Sequence, residues 1–139
     1  MADVKDAIQE IIDELKNLDG IRRIPDAPPE NNNQFPFVVV YPISGSFNKP
    51  SSGWLIGLHD INIELHIKRK DLPRDFDEAM DLFQALPKQL MSGQENGRFS
   101  NGFTWQAITY LFGPLEWAGV ETIGFTFTLN GAKVQDTVS

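Results

Sequence analysis

Strict alternation of apolar and polar residues in two segments is the feature that most restricts the fold of this chain. Apolar residues occupy every odd position from Ile61 to Ile67, and they do so again from Ile123 to Leu129. Because successive side chains of a strand point to opposite sides of a sheet, each segment predicts a strand with one apolar and one polar face. Other parts of the chain must therefore cover one side of a sheet.

Two segments with helical spacing can provide this cover. The first, DVKDAIQEIIDELKNLDG, repeats apolar residues at intervals of three and four, with Asp3 as a candidate N-cap and Gly20 as the stop. The second is predicted to open at Asp71, with Pro73 in its first turn. Proline in a helix interior removes a hydrogen bond, so we expect Pro87 to end or kink this helix.

The remaining segments predict further strands and the loops between them. FVVVYPI is rich in β-branched residues, and SGSFNKPSSG after it is interpreted as a flexible connection. FTWQAITYLF and VETIGFTFTLN predict two strands joined by GPLEWAG, and residues 131–139 are expected to form a flexible C-terminal tail. The chain, residues 1–139, is thus predicted to be a single α+β domain. Its two amphipathic helices should pack on one face of a mainly antiparallel sheet.

Composition restricts the possible classes of function. The chain has 139 residues, a formal net charge of −7 and no cysteine. A strongly acidic chain is a poor general partner for nucleic acids, and the lack of cysteine excludes thiolate metal sites and disulfides. The acidic N-terminal residues lack the pattern of a signal peptide, and no apolar run approaches the roughly 20 residues of a membrane span. We therefore expect no membrane partner.

No catalytic arrangement emerges from the polar residues. His59 and His66 are the two histidines, and their odd separation places them on opposite faces of one strand. Asp60, Glu64 and His66 share a face, which suits either a metal or acid–base site or an ordinary solvated face. The sequence contains neither a G-x-S-x-G elbow nor a G-K-[ST] phosphate loop. We expect no enzyme, no catalytic residue, no cofactor and no bound metal.

Three large aromatic residues lie in or beside the predicted loops. They are Phe47, Trp54 and Trp117. Clustered exposed aromatic side chains mark partner surfaces, although a loop can also fold such residues back onto the core. The sequence leaves both interpretations open.

A basic junction, HIKRKDLPRDF, interrupts this acidic chain. Lys68, Arg69 and Lys70 lie where a predicted strand gives way to the turn before the second helix. In one interpretation Lys68 only ends the polar face of the strand, and Arg69 and Lys70 lie at a turn. An exposed ion pair of the nearby Arg74 with a neighbouring carboxylate contributes only about 0–1 kcal/mol. The alternative is a contact with an acidic partner surface, for which complementary charge sets register and encounter rate.

Several long motifs stand out along the chain: an N-terminal helix is followed by FPFVVVYPISGSF, LHDINIELHIKRKDLPRDFDEAMDLFQALPKQL and TYLFGPLEWAGVETIGFTFTL. These motifs resemble one known protein family, the tail terminator proteins of long-tailed siphophages, also called tail completion or head–tail joining proteins. The resemblance covers about residues 1 to 130. Its most specific parts are the RKDLPRD junction and the GPLEWAGVETIGF hairpin.

The resemblance implies a structural virion protein without enzymatic activity. Members of this family form a hexameric ring on the finished tail tube, stop its polymerisation and provide the surface that joins the head. The implied partners are further copies of the chain in a homo-hexamer, the tail tube protein and the head-completion or connector protein. DNA passes through the ring without specific binding. The implied location is the head-proximal end of the tail in the virion, after assembly in the host cytoplasm.

On this interpretation six residues are candidates for the subunit or partner interface. They are Phe47, Trp54, Lys68, Arg69, Lys70 and Trp117. One alternative is another neck or tail-tube-related subunit. A second, from a different class, is a small-ligand or metal-binding module that uses the polar face around Glu64 and His66.

Overall fold

The structure is a computed structural model, and it describes residues 4–18, 36–49, 53–67, 76–99, 103–117 and 119–137. The elements within these ranges are α1 (Val4–Leu15), β1 (Phe37–Asn48), β2 (Trp54–Ile67), α2 (Phe76–Glu95), β3 (Ala107–Trp117) and β4 (Val120–Thr137). The strands form one sheet in the order β1-β2-β4-β3, and every neighbouring pair is antiparallel. The predicted α+β fold with a mainly antiparallel sheet is confirmed.

One face of the sheet forms the core together with the two helices. On β2 the fully buried residues Ile61, Ile63 and Leu65 lie opposite buried apolar residues of β4. The buried apolar residues contributed by the helices are Ala7, Ile11, Leu15, Ala79, Leu82, Leu86 and Leu90. The predicted apolar faces of both alternating strands are therefore confirmed. None of the helices in the described ranges is long and apolar enough to cross a membrane.

An ionic contact fastens α1 to the end of α2. The carboxylate of Glu14 is 5% exposed and accepts hydrogen bonds from Nε and Nη2 of Arg98, the shortest of them 2.7 Å long. Gln89 Nε2 donates a further bond of 2.7 Å to the same carboxylate. The bonds from Arg98 lower the pKa of Glu14 against the opposing effect of burial, and the bond from Gln89 and the charge of Arg98 add to this.

Replacing Glu14 by glutamine should destabilise the protein at neutral pH by about 1–3 kcal/mol, because charge-assisted bonds are lost from a buried group. The folded pKa of Glu14 lies below its ordinary value of 4.5, so this stabilisation is present above that pH and disappears as the pH falls through the folded pKa. Urea unfolding should therefore separate the parent from Glu14→Gln at neutral pH and bring them together in acid.

Asp13→Asn is the matched control for this prediction. Asp13 is the preceding residue, and its contact with Lys16 is long, at 3.7 Å, and more than half exposed on both sides. Such a pair contributes little to stability. An equal loss of stability in both variants would contradict the role assigned to Glu14.

Pro87 does not end α2, which was one of the two outcomes expected for this proline. The helix runs from Phe76 through Pro87 to Glu95 without interruption. Its buried residues Leu82, Leu86 and Leu90 follow the four-residue spacing on both sides of the proline, and their packing on the sheet outweighs the lost backbone bond. The predicted opening of this helix at Asp71 lies outside the described residues.

The strands extend into segments that the sequence analysis assigned to loops. The SGSFN part of the predicted flexible connection belongs to β1, and GPLEW belongs to β3. Residues 131–137 are also not a flexible tail, because they continue β4 and pair with the first half of β2. Pairing with a neighbouring strand outweighs the local turn preference of glycine, serine and proline in these segments.

Two β-bulges lie on either side of Asp60. Ile43 is an extra residue on β1, and Asn130-Gly131 face the single residue Asp60 on β2. Gly131 has a φ of 65°, a conformation that glycine adopts without strain, and its backbone N–H donates to Asp60 Oδ1 at 3.1 Å. Ser44 Oγ donates to the other carboxylate oxygen at 3.3 Å. The carboxylate of Asp60 thus accepts one hydrogen bond from each bulge. The two bulges divide the sheet into two halves.

Candidate functional site

The sheet face opposite the helices carries a chain of side-chain hydrogen bonds across three strands. The hydroxyl of Tyr41 donates to Glu64 Oε2, and Glu64 Oε1 lies 2.8 Å from His66 Nε2. The other ring nitrogen of His66 lies 2.6 Å from Thr122 Oγ1. Glu64, His66 and Thr122 are buried, and Phe37 stacks on the imidazole at 4.5 Å. The interpretation of Glu64 and His66 as part of a solvated face is therefore wrong.

The contacts within this hydrogen-bond network shift the pKa values of two of its members. Burial opposes ionisation of Glu64, but hydrogen bonds from His66 and Tyr41 and the charge of His66 outweigh it and lower the pKa of Glu64. Burial, and then the bond to Glu64, raises the pKa of Tyr41. Both ring nitrogens of His66 are engaged within the chain, so neither is open to a substrate or a metal.

The metal-binding alternative finds no ligand set in this part of the molecule. Asp60 shares the face of Glu64 and His66, as predicted, but its carboxylate is bonded to Ser44 and Gly131. Across the described ranges, no group of three or more histidine or acidic side chains is placed to hold a metal ion. His59 and His66 lie on opposite faces of β2, as the sequence predicts, so they cannot share an ion.

Large apolar side chains are exposed at both edges of the sheet. At the β1 edge, Ile43 is 51% and Phe47 63% exposed. At the β3 edge, Tyr110, Leu111 and Phe112 are 56%, 77% and 47% exposed. Residues of this type at these exposures are characteristic of surfaces that bind another protein. We call the outer sides of strands β1 and β3, together with these exposed side chains, the β1 edge and the β3 edge.

The structure places the predicted interface residues in three different ways. Phe47 and Trp54 are exposed. Phe47 belongs to β1, which extends through the predicted loop to Asn48, and Trp54 is the first residue of β2. Trp117 is the last residue of β3. The three basic residues of the predicted interface, Lys68, Arg69 and Lys70, lie outside the described residues.

Sequence analysis missed the β3 edge. Tyr110, Leu111 and Phe112 were assigned to the predicted strand FTWQAITYLF, and none of them was singled out as a partner residue. Three consecutive apolar residues on one strand must expose at least one of them when only one sheet face is covered. This run was the available signal, and Leu111, on the face opposite the helices, is the most exposed of the three.

The strands at the two edges of the sheet run in opposite directions, so that β3 of one copy can pair with β1 of another. The three antiparallel pairings of the sheet leave β3 antiparallel to β1. Among the described residues, no strand pairs with the outer side of either. Each edge contains a proline, Pro42 or Pro114, a residue that sheets tolerate at their edges because it donates no ladder bond. A copy placed beside the first could therefore continue the antiparallel sheet with its helices on the same side.

The described residues thus combine a satisfied polar network on one sheet face with two apolar edges that have no partner strand there. Both ring nitrogens of His66 are engaged in the network, whereas the edges offer both backbone groups and aromatic side chains. No protein-family model matches this sequence, and no curated protein matches it either.

Proposed function

We propose that this chain is a virion structural protein that forms a ring on the end of a phage tail tube, stops polymerisation of the tube and provides the surface that joins the head. The observation that carries the proposal is the pair of complementary sheet edges. A ring needs a heterologous contact, in which one patch meets a different patch on the next subunit. The β1 edge and the β3 edge are two such patches, and they lie on opposite sides of one sheet.

Edge-to-edge pairing accounts for both directionality and closure. Main-chain hydrogen bonds between β3 of one copy and β1 of the next supply affinity, and side chains along the two strands supply register. Because each contact uses one β1 edge and one β3 edge, every copy in a closed ring has both edges covered. We propose six copies, the number implied by the family resemblance.

Formation of the ring at the end of the tube follows from an assembly that is weak in solution and strong on the tube. A contact between one pair of strands must overcome the entropy of association, so free copies remain largely monomeric at low concentration. The end of a tube presents its binding places together, which raises the effective concentration of neighbouring copies. Once the ring is closed, no free edge of the sheet remains for lateral addition.

The remaining partners follow from the same proposal. The ring contacts the tail tube protein on one side and the head-completion or connector protein on the other, at the head-proximal end of the tail. The acidic chain, with a net charge of −7, suits a channel through which DNA passes without being held. Assembly takes place in the host cytoplasm, and the protein has no catalytic role.

Two substitutions test the ring directly. Phe47→Ser and Leu111→Ser remove one exposed apolar side chain from each edge, so each should leave the monomer folded and abolish ring formation on tubes. Negative-stain images should then show tails that lengthen without limit or that fail to join heads. Urea midpoints close to that of the parent would show that the monomers are intact.

Met91→Ser is the control for surface hydrophobicity. Met91 is 42% exposed, similar to the edge residues, but it lies on α2 and belongs to neither edge. Rings and tail lengths should be unchanged in this variant. A two-fold dimer as the only assembly, on tubes as well as free, would contradict the proposal. Rings stacked along the whole tube would favour the alternative of a tail-tube-related subunit.

A further inference from the structure

The sheet face opposite the helices changes character along β2. Every even-numbered residue from Asp60 to His66 is polar, whereas the three even-numbered residues before them are apolar: Trp54, Ile56 and Leu58. These three point away from the helices, because the odd-numbered residues between them, Leu55 and Gly57, line a small pocket together with residues of α1. We call Trp54, Ile56 and Leu58 the apolar stripe.

The apolar stripe is open to solvent in a single copy. Trp54 is 39% and Leu58 38% exposed, and Ile56 between them is half-buried. The residues paired with Ile56 and Leu58 on the two neighbouring strands are polar: Ser46, Asn48, Lys133 and Gln135. A row of exposed apolar side chains rimmed by polar ones, on the sheet face that the helices leave free, is characteristic of a surface that binds another protein.

The ring contact proposed above leaves the apolar stripe uncovered. β2 is an interior strand, paired with β1 on one side and with β4 on the other, so edge-to-edge pairing of copies does not involve it. Such pairing places the strands of neighbouring copies side by side, so the ends of the strands lie along the two rims of the ring. The stripe begins at Trp54, the first residue of β2, and therefore lies at one rim. The turn between β3 and β4 lies at the other rim.

A lysine beside the stripe indicates the charge of the partner. Lys133 lies directly opposite Leu58 on the adjoining strand. It forms no ion pair with the described residues, and the carboxylate of Asp60, on the same sheet face, is bonded to Ser44 and Gly131 instead. A protein that presents apolar side chains and a carboxylate would complement both features. A second copy stacked on the stripe about a two-fold axis is a poorer fit, because it would bring two such lysines into one small contact.

The order of assembly identifies the tail tube protein as this partner. In the proposed function, single copies bind the end of the tube before the ring closes. The surface that meets the tube must therefore overcome the entropy of association within one copy. The head-completion or connector protein meets a closed ring instead, where six weak contacts act together. A stripe that is already exposed in the single copy suits the first of these contacts.

We propose that the apolar stripe is the surface by which each copy binds the tail tube protein, with Lys133 paired to a carboxylate of that protein. This inference rests on the proposed function and assigns one rim of the ring to the tube. Binding to the tube and lateral pairing of copies then use different residues, so each can be lost without the other.

Cosedimentation with polymerised tail tube protein, sheared to short lengths so that ends are numerous, measures this contact. Trp54→Ser combined with Leu58→Ser, the stripe variant, should weaken binding by more than about 10-fold, the loss expected from truncating central apolar contacts. Both side chains are exposed, so its urea midpoint should stay close to that of the parent. Lys133→Gln should weaken binding by about 2- to 5-fold and reduce its dependence on salt, as expected for one exposed ion pair.

Two variants at other exposed positions are the controls. Met91→Ser removes an apolar side chain of similar exposure from α2 and should bind tube ends as the parent does. Phe47→Ser, at the β1 edge, should still bind tube ends as single copies, although more weakly because closure of the ring no longer contributes.

The outcomes separate this inference from the proposed function. A stripe variant that binds tube ends as tightly as the parent overturns the inference and leaves the proposed function standing. A stripe variant that caps tubes but fails to join heads places the stripe on the head side and also overturns it. Free dimers of the parent that disappear in the stripe variant would place a second copy on the stripe, with the same consequence. A parent protein that binds no tube ends overturns both proposals. Loss of binding in a folded stripe variant, with both controls behaving as expected, supports the inference.

Discussion

Alanine in place of Phe125 should lower the free energy of unfolding by about 3–5 kcal/mol, the usual cost of removing a buried aromatic ring. Phe125 belongs to β4 and is 4% exposed, and its side chain points toward α2. Its ring stacks on Phe83 at 4.5 Å and lies 4.9 Å from Phe112. Because the helix and the sheet are each held by other contacts, they cannot close fully over the vacated space, and a cavity remains. Urea unfolding followed by circular dichroism measures the loss.

Two further substitutions make this prediction specific to the sheet face. Phe83→Ala removes the partner ring from α2 and should cost a similar amount, about 3–5 kcal/mol. Thr126→Ala changes the next residue of β4, which points away from the helices, and should cost far less. A larger loss for Thr126→Ala than for Phe125→Ala would mean that the two faces of the sheet are assigned in the wrong order.

Replacing Gly124 by alanine should lower the free energy of unfolding by about 3 kcal/mol, the upper end of the range for overpacking. This loss is nearly as large as that expected from removing the ring of Phe125. A Cβ atom at Gly124 would overlap the carbonyl oxygen of Leu65 and lie 3.0 Å from its carbonyl carbon. Both atoms belong to the backbone of the central strand β2, which cannot move aside without breaking its pairing with β4. Thermal and urea unfolding of Gly124→Ala should therefore show a strongly destabilised protein.

Gly113 provides the control on the neighbouring strand. It lies directly opposite Gly124 in the pairing of β3 with β4, yet a Cβ atom there would meet nothing within 4 Å. Gly113→Ala should be neutral or stabilising by up to about 1 kcal/mol, because alanine restricts the unfolded chain more than glycine does. Equal effects at the two positions would show that backbone proximity is not the reason for glycine at Gly124.

The parts of the fold that follow from local periodicity could be predicted. The alternation around Ile63 and around Phe127 identified both central strands and their buried faces, and the helical stripe around Ile11 identified α1. The ends of the elements could not be predicted in the same way. SGSFN and the residues after Asn130 have turn-forming sequences, and their pairing with β2 makes them strands. For the second of these segments, β2 is also distant in the chain.

The candidate site was predicted only in part, for the same physical reason. The sequence left open whether Phe47 and Trp54 are exposed or packed on the core, and the structure shows both to be exposed. The assignment of Phe47 to a loop was wrong. The partners of His66 could not be found, because Thr122 is 56 positions away in sequence and is brought close by the order of the strands. The position of the buried His59 imidazole likewise could not be predicted. It depends on the absence of side chains at Gly45 and Gly57, where a Cβ atom would overlap the ring.

The two bulges beside Asp60 decide on which face of the sheet Phe47 and Val134 lie. Before Ile43, the even-numbered residues of β1 face the helices, and after it the odd-numbered residue Phe47 does so. On β4, Asn130-Gly131 exchange the parity in the opposite sense, so that Val134 faces the same way as Phe47. A deletion of one residue at either bulge would turn the side chains that follow it, Phe47 on β1 or Val134 on β4, to the other face of the sheet. Insertions and deletions at these two positions, more than substitutions along the strands, are therefore the changes by which related chains would acquire a different neighbour.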